Sequence, residues 1–464
     1  MVSIDTLPDD TLLEIFDLYL YYCRFKRERA WQSLVHVCNR WRSIVFGSPR
    51  RLDLQLVCTG RTPTRERLDV WPALPLIIEF DEYEPIRSVD NIIAGLERTD
   101  RVCQIEIRNV PSSDILAAMH QPFPELTSLR VWPADGAQLP VLPDSFLGGS
   151  APRLQSITWS SISFPGLPKL LLSATHLDSL HLHSIPHAGY FPPDAMVTVL
   201  SSLTSLSYLW LAFQSPRSCP DQASRRPPPL TRSVLPCFTH LRFKGVSEYL
   251  EDLVACIEAP QLYVLDITFF NDIEFDTPQF MQFISRTPNS RAIEQAHITL
   301  QDDSAKVNFS SRTFRHEEFK VVILCKGLDW QVSSLEQVCS SCLPPLSILE
   351  DLYIYEDPYS QPDWKDGPGI ENRQWLELFF PFMAVKNLYL SEKLASRIAP
   401  ALQELVEGRT TEVLPTLQNI FLEGPESSGA VEEGVKQFVA ARQVVSHPIT
   451  VSRWAKSKMQ MRYY

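Results

Sequence analysis

The chain has 464 residues, 44% of them hydrophobic and 21% charged, with a formal net charge of −12. That length exceeds what one hydrophobic core usually fills, so two or more domains or a repeat array are expected. The negative balance argues against a nucleic-acid backbone or an anionic membrane as the main partner. No apolar stretch reaches the roughly eighteen residues of a membrane helix; Leu376–Val385 is too short and holds a proline. Met1–Asp10 has no basic region and carries three aspartates, so no secretory signal is expected. Ten cysteines without regular spacing read as reduced thiols of the cytosol or nucleus. Proline is abundant at 37 and glycine scarce at 16, which fits many short elements with proline-punctuated connections.

The first predicted helix starts at Pro8, where a missing N–H costs nothing, with Asp9 and Asp10 at its positive end. Leu12, Ile15, Phe16 and Tyr19 recur at helical spacing, and Leu13 and Leu20 widen the stripe. A charged break, Arg24–Ala30, leads into a second predicted helix. That helix places Leu34, Val37, Cys38, Trp41, Ile44 and Val45 on one face, and Gly47 and Pro49 close it. Fully burying each of Leu12, Ile15, Phe16 and Trp41 is worth roughly 1.5–3 kcal/mol. About fifty residues of short helix cannot cover such a surface alone. It is expected to dock, either on the downstream domain as a cap or on a separate partner.

The ordered set Leu7-Pro8, Leu12, Ile15-Phe16, Val37-Cys38 and Trp41 resembles the F-box motif. The continuation Ser48–Phe80 is similar to that of many F-box proteins of mushroom-forming fungi. The resemblance implies a segment that docks on the Skp adaptor of a cullin ubiquitin ligase. By matching position, Leu7, Pro8, Leu12, Ile15, Phe16, Val37, Cys38 and Trp41 would form or support the docking face. The linker Tyr21–Gln32 departs from the compact pattern, being longer and more charged.

Beyond residue 50 the figure Leu-x-x-Leu-x-Leu recurs. Clear copies start at Leu126, Leu154, Leu177, Leu206, Phe238, Leu262, Leu349, Val385 and Leu417; weaker ones start at Val102, Ile293 and, weakest, Phe319. The steps run from 23 to 36 residues, longer and less regular than the usual leucine-rich repeat of about 20–29. Proline precedes nearly every copy. Fixed-phase alternation predicts a fold of mixed α/β class: a curved solenoid of parallel strands on the concave face, with helices or loops on the convex face. Unrelated strands of an α/β domain are the plainer alternative. Trp71–Phe80 is expected to be the first strand. The predicted organisation is an F-box-like helical segment at 1–49, a connecting cap at 50–100, the solenoid at 101–450 and a basic tail at 451–464. A proline-rich loop at about 215–229, whose composition suits a polyproline ligand, and a second long loop at about 356–369 interrupt the array.

Side chains alternate along a strand, so the third, fifth and seventh repeat positions face the concave side. The fifth positions read Glu106, Arg130, Thr158, His181, Trp210, Arg242, Asp266, His297, Tyr353, Tyr389 and Phe421. Exposed aromatic residues anchor protein interfaces. The expected target-binding residues are therefore Arg130, His181, Trp210, Arg242, Tyr353, Tyr355, Tyr389 and Phe421, unless a downstream helix or the tail covers the rings. No phosphate-binding loop, dinucleotide fingerprint, zinc-protease helix or nucleophile elbow is present in the sequence. His181 and His183 share a strand face, but polar surface residues explain them as well as metal does. Cys339 and Cys342 lack a second pair. No cofactor and no metal are expected. The sequence reads as a non-catalytic substrate receptor of a Skp–cullin–F-box ubiquitin ligase or, alternatively, a repeat scaffold whose N-terminal helices only cap it.

Overall fold

The computed structural model describes residues 4–23, 27–61, 64–81, 88–110, 113–134, 140–220, 231–270, 277–287, 293–311, 319–341, 346, 348–357, 360, 371–405, 411–424 and 429–454. The chain forms two compact units, Met1–Phe191 and Pro192–Tyr464.

The first unit opens with three helices, α1 (Asp9–Tyr22), α2 (Arg27–Val35) and α3 (Asn39–Gly47). The single helix expected across Trp31–Gly47 is thus two. Cys38 has extended backbone, and its sulfur accepts the N–H of Trp41 at 3.5 Å, so it caps α3. The Cys-x-x-Trp spacing is the spacing of a cap and the third helical residue. It takes Val37 and Cys38 out of the helical stripe. The charged linker is also mostly helical, since α1 runs to Tyr22 and α2 begins at Arg27.

There follow β1 (Leu56–Thr59), α4 (Thr64–Val70), β2 (Leu76–Asp81), α5 (Val89–Leu96), β3 (Val102–Val110) and α6 (Ser113–Ala118). The unit continues with β4 (Ser128–Pro133), β5 (Ser156–Ser160), α7 (Leu167–Leu171) and β6 (Ser179–Ile185). These strands pair in parallel and in chain order. The strand expected to begin the stack is second, because β1 pairs Leu56 with Leu76 and Thr59 with Glu79. Only Leu56 and Cys58 point inward from β1, too short an alternation to stand out. α5 lies close over both strands: a Cβ at Gly95 would stand 2.7 Å from Ile78 Cδ1.

The second unit runs α8 (Pro193–Ser202), β7 (Tyr208–Phe213), β8 (Ser233–Val234), β9 (His240–Gly245), α9 (Ser247–Val254), β10 (Ile257–Glu258) and β11 (Val264–Phe270). Next come α10 (Pro278–Arg286), β12 (Gln295–Leu300), β13 (Ala305–Ser310), β14 (Phe319–Leu324), α11 (Leu328–Ser341) and β15 (Asp351–Glu356). It ends with α12 (Asn372–Phe379), β16 (Asn387–Leu390), α13 (Glu392–Glu404), β17 (Asn419–Glu423), α14 (Gly429–Val444) and β18 (Thr450–Trp454). The expected basic tail therefore begins as a strand, and residues 455–464 lie outside the described ones, as do 221–229 and 361–369 of the two predicted loops.

The purely parallel array needs correction in this unit. The sheet order is β7-β9-β11-β14-β13-β12-β15-β16-β17-β18, with β13 antiparallel to both neighbours. β12 and β13 are joined by the four residues Gln301–Ser304, closed by Gln301 N–H to Ser304 O at 2.9 Å. So short a connection permits only antiparallel pairing. β14 then lies beyond β13 and pairs in parallel with β11, Phe319 opposite Leu265. Phe319 consequently stands at the fourth repeat position rather than the first, and Lys320 takes the fifth.

The core is the row of fourth- and sixth-position side chains, such as Leu209, Leu241, Ile267, Leu352, Leu388 and Ile420, packed against the helices. Two buried ions tie helices in place. Glu251 of α9 accepts the N–H groups of Gln279 at 3.0 Å and Phe280 at 2.7 Å, capping α10, whose N-cap residue Thr277 makes no side-chain capping bond to the helix. Arg442 of α14 donates to the carbonyls of Leu414 at 2.9 Å and Pro415 at 3.3 Å, ahead of β17. No helix among the described residues is long and apolar enough to cross a membrane.

Candidate protein-interaction surfaces

The N-terminal helices bring the two halves of the motif together. Arg40, at the start of α3, donates to Leu7 O at 2.5 Å and to Asp9 Oδ1 at 2.9 and 2.6 Å. The ring of Trp41 packs on Phe16 at 4.7 Å between centroids. Leu12, Leu13, Phe16 and Leu20 are buried inside this small bundle. The stripe expected from periodicity therefore splits. Leu12 and Phe16 turn inward, whereas Ile15 is 40% exposed and Tyr19 lies outside with Leu18 at 59% and Tyr22 at 82%. Pro8, Val37 and Cys38 are exposed too, Leu7 and Trp41 half-buried. α1 is apolar on two sides, and among the described residues its neighbours cover only one.

The same helices are anchored to the first repeats. Trp31 of α2 is buried, donates from its indole N–H to Gln55 O at 3.1 Å and meets Trp71 edge-on at 5.3 Å. Phe46 of α3 stands 6.1 Å from Trp31 and 6.0 Å from Trp71.

The fifth-position residues fall in register, giving each unit a continuous row. In the first unit Glu106, Arg130, Thr158 and His181 stand side by side. Glu106 pairs with Arg108 at 2.7 Å and Arg130 at 3.5 Å. In the second unit the row runs Trp210, Arg242, Asp266, Lys320, Asn308, His297, Tyr353, Tyr389 and Phe421. Lys320 and Asn308 belong to it only because β14 and β13 are intercalated.

Strands about 4.8 Å apart bring like side chains within stacking distance. His297 stacks on Tyr353 at 4.3 Å, Tyr353 on Tyr389 at 4.1 Å and Tyr389 on Phe421 at 4.4 Å, all within 10° of parallel. Within the stack the ring faces are occupied by one another, and Tyr353, Tyr389 and Phe421 are half-buried. Trp454 of β18 lies edge-on to Tyr389 at 5.6 Å and Tyr353 at 6.2 Å, its N–H directed to Leu390 O at 3.3 Å. The segment expected either to leave the rings open or to cover them thus covers one flank.

The opposite flank is a ladder of third-position amides and carboxylates. Gln295 donates to Asp351 at 3.0 Å, Asn387 to Asp351 at 2.7 Å and Asn419 to Asn387 at 2.7 Å. Tyr355, expected at the open surface, is 8% exposed and offers almost no area to a partner. Its seventh-position neighbour across the strand is Thr299, also buried. On β13 both faces are closed, Lys306 and Asn308 being buried like Val307 and Phe309. Alternation assigns a face but does not say what covers it.

Towards β7 the row changes character. Arg242 lies over the Trp210 ring at 5.0 Å and faces Asp266 at 3.9 Å, and Lys320 reaches the same carboxylate at 3.3 Å. His240 is held between Tyr208, stacked at 5.2 Å, and the Tyr263 hydroxyl, 3.0 Å from Nε2. Burial, and then the nearby Arg242 charge, push its imidazole below the ordinary histidine range. His181 and His183 sit 5.9 Å apart, and no cluster of three metal-ligating side chains exists among the described residues. Cys339 is buried, and Cys342 lies outside the described residues.

No protein-family model matches the chain. No curated protein matches it either. Among solved structures, the chain is similar to the leucine-rich repeat-containing protein LegL7 of Legionella pneumophila. Identity is 12%, coverage 83% of this chain and 97% of that one, and the TM-score 0.27. The repeat assignment rests on the in-register parallel ladder itself.

Proposed function

We propose that the chain is the substrate-receptor subunit of a Skp–cullin–F-box ubiquitin ligase, with α1–α3 docking on a Skp-type adaptor and the repeats holding a target protein. The observation that carries this reading is the Arg40 tie. It gathers Leu7-Pro8, α1 and the Val37–Trp41 segment into one surface and leaves Ile15, Leu18, Tyr19, Tyr22 and Val37 exposed beside it. Contiguous exposed apolar side chains on a helix mark an interaction site. Leu12, Phe16 and Trp41 support that surface from within. Such a receptor does no covalent chemistry and needs no cofactor. It raises the effective concentration of the target's lysines near the ubiquitin-bearing enzyme.

The scaffold reading is favoured by a different contact, the packing of Trp31 and Phe46 on Trp71. The two are compatible: α2 and α3 cap the first repeats with one side, while the outer side of α1 stays available. Deleting the helices would therefore confuse loss of a cap with loss of a partner. Surface substitutions separate them. Purification of the tagged full chain from cells is expected to recover adaptor and cullin, and an Ile15→Asp, Leu18→Asp chain is expected to lose both while unfolding at an unchanged temperature. Absence of adaptor and cullin from the unsubstituted chain would leave the scaffold reading alone.

A further inference from the structure

The net charge of the chain is −12, yet one part of the ladder face gathers cations. Arg242 and Lys244 project from the same side of β9, two residues apart and so about 7 Å. Lys320 projects from β14, and between them on β11 stands one carboxylate, Asp266. Lys320 is 3.3 Å from that carboxylate and Arg242 3.9 Å, beyond hydrogen-bond reach for the latter. The buried Arg242 Nε finds no hydrogen-bond acceptor among the described residues. Aromatic rings hold two of the cations: Arg242 lies 5.0 Å over Trp210, and Lys244 Nζ 5.7 Å from the Phe270 ring. Cation–π contacts fix position without consuming N–H donors. Arg242 keeps 38% of its side chain exposed and Lys320 24%.

We infer that Arg242, Lys244 and Lys320 form an anion subsite for a phosphorylated side chain of a bound peptide. Among the described residues, Arg242 and Lys320 share the Asp266 carboxylate and Lys244 stands beside them, three cations to one anion. A ligand carboxylate would merely exchange with Asp266. A phosphoryl group, carrying about −1.5 to −2 and three acceptor oxygens, matches the excess and the planar fork of the guanidinium. The inference rests on the target-binding half of the function proposed above and names the chemistry it selects.

The test is a thermal-shift titration of the full chain at low ionic strength, where exposed charges are least screened. The probes are a blocked Gly-Gly-phosphoserine-Gly-Gly peptide, its serine and aspartate counterparts, and inorganic phosphate. The phosphopeptide is expected to half-saturate at a concentration about tenfold lower than the aspartate peptide, as suits a charge-assisted bidentate contact. Arg242→Gln is expected to raise that concentration about tenfold. Lys320→Gln, should the first variant not fold, is expected to weaken binding likewise. Asp266→Asn removes the competing carboxylate and is expected to tighten binding, an effect that a purely structural ion pair would not produce. Lys169→Gln, an exposed pair with Asp144, should change nothing. Equal responses to all three peptides, or weaker binding in Asp266→Asn, would overturn the inference. Inorganic phosphate binding as tightly as the phosphopeptide would overturn the peptide assignment. Phosphopeptide binding without adaptor binding would leave the subsite standing and remove the ligase reading; the reverse would remove the subsite alone.

Discussion

Tyr389 is the middle ring of the aromatic ladder, and replacing it with alanine breaks two stacks at once. The ring lies 4.1 Å from Tyr353 and 4.4 Å from Phe421, with Trp454 edge-on at 5.6 Å. An aromatic pair contributes about 0.5–1.5 kcal/mol beyond the area it buries. Tyr389→Ala should therefore cost about 1–3 kcal/mol from stacking alone. Tyr389→Phe keeps both stacks and should cost under about 0.5 kcal/mol, as a surface change does. Urea unfolding followed by circular dichroism gives the single-variant values, and a double-mutant cycle with Tyr353→Ala isolates the pair at about 1 kcal/mol. A coupling near zero would show that strand pairing alone spaces the rings. Their faces would then be free to hold a ligand rather than one another. The phenylalanine variant has a second use, because loss of target binding without loss of stability would assign recognition to the Tyr389 hydroxyl.

Glu251→Ala strips two N–H groups of α10 of a charged acceptor and should destabilise the second unit by about 2–4 kcal/mol, a charged hydrogen bond being worth about 1.5–3. Hydrogen exchange at Gln279 and Phe280 should rise with it; unchanged protection would refute the trans cap. Burial pushes the thiols of Cys103 and Cys325 up to about 11, so both should resist iodoacetamide at pH 8 while exposed Cys38, Cys219 and Cys237 are labelled. Equal labelling rates by mass spectrometry would contradict that. His240 is held below the ordinary histidine value of about 6.5, so the unfolded chain binds its proton first. Its contribution to stability is present above pH 6.5, falls as pH drops through that value and levels off below the folded-state pKa. His240→Gln should flatten this part of the unfolding-midpoint curve between about pH 7.5 and 5.5, and an unchanged slope would show that other groups set it.

The register of the ladder was legible in the sequence because alternation has a period of two and every copy keeps the same phase. That alone aligned Tyr353, Tyr389 and Phe421 on one face. The exchange of β12 and β14 was not legible, since an antiparallel strand shows the same alternation as a parallel one. The only cue lay in the brief turn after Leu300, which the Leu-x-x-Leu-x-Leu figure does not weigh. At the N-terminus, periodicity marked Ile15 and Tyr19 as companions of Leu12 and Phe16, yet a helix apolar on two sides needs more than one neighbour to be covered. Cys38 and Trp41 were legible as a spaced pair, but the sulfur cap that explains their spacing requires the backbone to turn at Val37. Tyr355 shows the limit of face assignment, being on the expected side of β15 and still buried.

Adaptor docking is tested most directly by titrating a purified Skp-type adaptor into the full chain by calorimetry, beside a chain carrying Ile15→Asp and Leu18→Asp. The reading requires saturable one-to-one binding that the two surface substitutions abolish, with the unfolding temperature unchanged. No heat of binding from the unsubstituted chain, or equal binding by both, would contradict it.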